Sequence, residues 1–92
     1  MEKQTVKYLV SGRVQGVGFR WFTLNAANLI GVKGYVKNLP SGQVEIIARG
    51  APEQLERFVM EIKKGPSFSR VETIKTEALP DDPMYHRFEV TY

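Results

Sequence analysis

Two stretches of helical period interrupt a sequence that otherwise alternates apolar and polar residues, and this order restricts the chain to few architectures. Leu55, Phe58, Val59 and Ile62 recur at i, i+3, i+4 and i+7, the spacing of one helix face. Pro52 suits the first turn of that helix, Glu53 and Glu56 lie near its positive end, Lys63 and Lys64 near its negative end, and Gly65-Pro66 stops it. The second stretch, "WFTLNAANLI", places Phe22, Ala26 and Leu29 or Ile30 three or four apart, with Gly31 as a C-terminal cap. Around these helices, "TVKYLV" puts Val6, Tyr8 and Val10 on one face of a strand ending near Ser11 or Gly12. "VKGYVKNLPSGQVEIIARG" reads as a hairpin turning at Leu39-Pro40-Ser41-Gly42, with Val44, Ile46 and Ala48 sharing a face of its second arm. "RVETIKTEA" and "RFEVTY" are two further strands, separated by the turn-rich "LPDDPMYH". The order β-α-β-β-α-β with a short extra C-terminal strand predicts an α+β, ferredoxin-like sandwich. Its mainly antiparallel sheet carries both helices on one face.

At 92 residues the expectation is one domain spanning 1–92, and apolar (42%) and charged (25%) fractions of ordinary globular size argue against disorder. There is no cysteine, so no disulfide framework and no thiolate nucleophile. A single histidine, His86, leaves nothing for a zinc site of the usual Cys/His kind. The opening "MEKQTVKYLV" lacks the apolar stretch of a signal peptide, and no window approaches a membrane span, so a cytoplasmic protein is the default expectation. The net charge of +3 suits an anionic small molecule or a weak polyanion contact without choosing between them.

Chemistry concentrates in "SGRVQGVGFRWF", where three glycines and two arginines stand between the first strand and the first helix. A glycine-rich turn at a helix N-terminus can aim several backbone N–H groups at one point and adds partial positive charge there. Gly16, Val17, Gly18, Phe19 and Arg20 occupy the turn, and the Arg20 guanidinium can hold two phosphate or carboxylate oxygens at once. On the residues alone, a tight strand-to-helix connection with a solvated Arg20 explains the stretch equally well. The P-loop's GK[ST] is absent, and Trp21 stands where the dinucleotide fingerprint needs glycine.

"GRVQGVGFRWF", followed by "GYVKN" and "GQVEIIARG", resembles the acylphosphatase family in order and spacing, and the resemblance runs from residue 5 to residue 92. It implies a ferredoxin-like fold and hydrolysis of the carboxyl-phosphate bond of acyl phosphates without metal or other cofactor. In that reading Arg20 is the phosphate-binding arginine, the backbone amides of Gly16, Val17, Gly18, Phe19 and Arg20 are the phosphate cradle, and Asn38 positions the attacking water. The implied partners are a small acyl phosphate substrate and inorganic phosphate as product and inhibitor, with no nucleic acid, no membrane and a monomeric state. Gly18 stands where some members carry a larger residue, and "NLPSG" replaces the commoner turn with aspartate before glycine. The same signature also opens a much larger hydrogenase-maturation enzyme, whereas this chain is expected to be the domain alone. The competing class is a ferredoxin-like binding module for single-stranded RNA or a small anion.

Other conspicuous residues carry plainer expectations. Without the resemblance, Asn38 reads as the end of a hairpin arm bonded to its own turn. "KGYV" starts like an RNA-recognition motif, but Lys37 and Asn38 break the match, so Tyr35 is expected in the core or on the sheet face. Trp21 is expected to pack at the helix start, His86 to lie on the surface, and Asp81-Asp82, between Pro80 and Pro83, to form a solvated turn.

Overall fold

The computed structural model describes residues 2–92. Seven elements follow in chain order: β1 (Gln4–Arg13), α1 (Phe19–Ile30), β2 (Lys33–Asn38), β3 (Val44–Gly50), α2 (Pro52–Lys64), β4 (Arg70–Leu79) and β5 (Phe88–Thr91). The strands form one sheet in the order β4-β1-β3-β2-β5, antiparallel except for the pairing of β2 with β5. This is the expected sandwich, with the short last strand at the sheet edge. Alternation sets the inner face: Tyr8 lies opposite Ile46 and Ile46 opposite Val36, while Val10 lies opposite Val44, and all five are buried. Against them pack Phe19 and Ala27 of α1 and Leu55, Phe58 and Ile62 of α2. The Phe58 ring sits between Tyr8, at a centroid distance of 6.1 Å, and Phe88, at 5.9 Å edge-on.

Two features depart from the sequence expectation and shape the site. Helix α1 starts at Phe19, two residues before the expected Trp21, because the Phe19 ring, 2% exposed, anchors the first turn in the core. Its buried stripe is Phe19, Thr23 and Ala27, flanked by half-buried Ala26 and Ile30, whereas Leu29 is 84% exposed. The second departure follows β4, where the chain must reach β5 at the opposite edge of the sheet. Residues 80–87 cross the face away from the helices, and Asp81, exposed as expected, also anchors this strap. Its carboxylate takes bonds from Arg49 Nε (2.7 Å), Arg49 Nη2 (3.0 Å) and the Thr5 hydroxyl (2.9 Å). The Arg49 guanidinium holds the Asp81 carboxyl below the usual carboxylate range.

Candidate active site

The loop from Val14 to Gly18 joins β1 to α1, and two of its glycines adopt a backbone that side chains disfavour: φ is 72° at Gly16 and 78° at Gly18. A Cβ built at either position meets no chain atom within 4 Å, so the left-handed backbone, and not crowding by the chain, requires glycine. Gly18 is the N-cap of α1 and carries no side-chain acceptor; the first helical bond runs from the Phe22 amide to the Gly18 carbonyl at 3.0 Å. Among the described residues, no chain acceptor takes a bond from the amides of Gly16, Val17, Gly18, Phe19 or Arg20. Nor does the first turn of α1 contain an acidic residue. It contains Arg20, a cation where the helix dipole disfavours one. By the rules of helix stability this terminus is built the wrong way round, and donors and charge gathered without a partner are what an anion requires.

Asn38 reaches the same place from the hairpin. It closes β2 opposite Val44, itself opposite Val10, and both valines are buried on the helix side. Register therefore turns Asn38 toward the N-terminus of α1, where Val14, Gly16, Gly18, Phe19, Arg20, Trp21 and Asn38 line one pocket of about 90 Å³. The Asn38 Oδ1 is buried and accepts no bond from the chain. Its side chain does not serve the hairpin turn, which closes through backbone bonds from Leu39 N–H to the Gln43 carbonyl (2.9 Å) and from Gly42 N–H to the Leu39 carbonyl (3.1 Å). A larger hollow of about 450 Å³, between α2 and the β1 and β4 side of the sheet, contains none of these residues.

The sequence reading missed a brace between the two halves of the site. Gln15 Nε2 donates to the Leu39 carbonyl at 2.8 Å and the Gln43 carbonyl at 2.9 Å, tying the glycine loop to the turn beside Asn38. Gln43 Nε2 in turn donates to Ser11 Oγ at 2.9 Å, so the turn is also fixed to β1. Arg20 is held differently: its guanidinium carbon lies 4.6 Å from the centre of the Tyr92 ring. Trp21 contradicts its expected packing role. At 62% exposure it stands outside the core at the mouth of the pocket, because a residue two positions after buried Phe19 points to the opposite side of the helix.

Tyr35 is on the open sheet face as expected and already engaged, its hydroxyl donating to Glu45 Oε2 at 2.7 Å and its ring 6.3 Å from that of Tyr85. Burial and the Glu45 carboxylate push its hydroxyl well above the usual tyrosine range. His86 is exposed. Among the described residues no group of three or more His, Cys, Asp or Glu side chains is placed to hold a metal ion, and no helix is long and apolar enough to cross a membrane.

The acylphosphatase family profile matches residues 6–90. The chain belongs to the acylphosphatase family. An acylphosphatase from Vibrio cholerae is 41% identical over 90 residues, covering 98% of this chain and 99% of the relative. One from Archaeoglobus fulgidus is 46% identical over 83 residues, covering 90% and 92%. The crystal structure of acylphosphatase from Bacillus subtilis superposes with a TM-score of 0.93 at 39% identity, covering 97% of this chain and 99% of that one. Family membership makes the chain a hydrolase of the acylphosphatase class.

Proposed function

We propose that this acylphosphatase hydrolyses the carboxyl-phosphate bond of acyl phosphates by direct attack of a water that Asn38 orients on a phosphoryl group gripped by Arg20 and the amides of residues 16–20. The observation that carries the reading is the N-terminus of α1, uncapped, without an acidic residue and with an arginine in its first turn, opening on the pocket that Asn38 enters. A phosphoryl dianion satisfies the free amides and offsets the misplaced charge of Arg20 in one step. The Asn38 amide can accept a bond from the water at Oδ1 and donate from its nitrogen to a phosphoryl oxygen, which fixes the line of attack.

The water oxygen bonds to phosphorus as the bond from phosphorus to the acyl oxygen breaks. Both water protons end on phosphate, and the acyl group leaves as a carboxylate. With a conjugate-acid pKa of about 4, that carboxylate needs no proton from the protein. A loose transition state spreads charge over the phosphoryl oxygens, where oriented donors stabilise it. The test is hydrolysis of benzoyl phosphate followed by ultraviolet absorbance. Turnover should persist in EDTA, be inhibited competitively by inorganic phosphate, and be lost in Arg20→Ala and Asn38→Ala; wild-type rates in both variants would discard the mechanism.

A further inference from the structure

We infer that Trp21 is a specificity-determining platform for the acyl half of the substrate, and that the chain favours flat apolar acyl groups, such as aryl ones, over acetyl. This rests on the acylphosphatase reading above and supplies the part of the substrate which that reading leaves open. The pocket holding Arg20 and Asn38 encloses about 90 Å³, against roughly 300–1,000 Å³ for pockets that bury a whole small molecule. It therefore takes the phosphoryl end and leaves the acyl group at the rim.

What stands at that rim is an indole. Trp21 lines the pocket yet is 62% exposed, so its ring contributes little to the core. Helix geometry turns it away from Phe19, and the tilt of every Cα–Cβ bond toward the helix N-terminus carries it over the turn that forms the cradle. Apart from Arg20 and Asn38, whose polar groups are committed to the phosphoryl end, the lining is glycine, Val14, Phe19 and Trp21. An acyl chain reaching this rim meets an aromatic face on which the indole N–H is the one polar group. Discrimination by area and by ring stacking is what such a rim offers.

The test compares kcat/KM for benzoyl phosphate and acetyl phosphate in the wild type, Trp21→Ala and Trp21→Phe, with the inhibition constant of inorganic phosphate measured in each. The wild type should prefer benzoyl phosphate. Trp21→Ala should lower the benzoyl-to-acetyl ratio about tenfold, and Trp21→Phe should hold it within about threefold of wild type. Inhibition by inorganic phosphate, which has no acyl group, should change less than the benzoyl KM. A ratio unmoved by Trp21→Ala overturns the platform and leaves the phosphoryl site standing. Equal losses on both substrates with weakened phosphate inhibition also overturn it, by showing that Trp21 only shapes the cradle. A wild type inactive on both substrates overturns the underlying reading instead.

Discussion

Arg20→Met separates function from stability. Among the described residues Arg20 makes no ion pair and no side-chain hydrogen bond; its one specific contact is the Tyr92 ring. That cation–π contact is worth about 0.5–1 kcal/mol at an exposed site. Against it, a cation in the first turn of a helix costs about 0.3–1 kcal/mol. The two nearly cancel, and methionine keeps most of the apolar stem, so folding stability should change by no more than about 0.5 kcal/mol. At about 4–8 °C per kcal/mol for a domain of this size, Tm should move by less than about 4 °C. Activity should respond otherwise, because removing a donor aimed at transition-state charge costs about 10²–10³-fold. Thermal unfolding by circular dichroism and kcat/KM on benzoyl phosphate are the two measurements. A fall in Tm of about 10 °C or more with a threefold or smaller loss of kcat/KM would show that Arg20 is structural and refute the reasoning.

Gly16→Val should cost about 1–2 kcal/mol of stability from the left-handed backbone alone, since no chain atom crowds the added group, while weakening phosphate inhibition by more than tenfold; a folded variant inhibited as before would count against the cradle. Gln15→Met, close in shape but without donors, should lower kcat more than it weakens phosphate inhibition, because it releases the turn beside Asn38 while Arg20 and the amides remain; an unchanged kcat would show the brace to be structural only. Burial pushes the Tyr8 hydroxyl up to about 12. The unfolded chain therefore loses that proton first above pH 10, and stability, full below that pH, should fall by about 2 kcal/mol as pH rises to 12. Alkaline unfolding curves should show the loss in the wild type and a smaller one in Tyr8→Phe; identical curves would remove Tyr8 as its source.

The sheet was legible because strand alternation is local: Val6, Tyr8 and Val10 share a face whatever they pair with. The same parity carries Asn38 to the helix side once β2 is in register with β3, so the meeting of Asn38 and the glycine loop follows from pattern and topology together. What escaped is what distance along the chain conceals. Asp81 binds Thr5 across 76 positions and Gln15 reaches Leu39 across 24, and neither local turn chemistry nor periodicity carries such information. The start of α1 was misplaced because Phe19, beside a left-handed glycine, belongs by neighbourhood to the turn and by burial to the helix. Trp21 was misjudged by residue type. Large aromatics are mostly buried, and only the helix phase set by Phe19 shows this one to face outward.

The most direct test is a titration of the ¹⁵N-labelled chain with inorganic phosphate, followed by amide NMR. Saturable shifts should concentrate on the amides of Gly16, Val17, Gly18, Phe19 and Arg20 and on the Asn38 side-chain NH₂, and should be absent from the hollow between α2 and β4. Shifts centred on another surface, with the glycine-loop amides unmoved at saturation, would contradict the central claim.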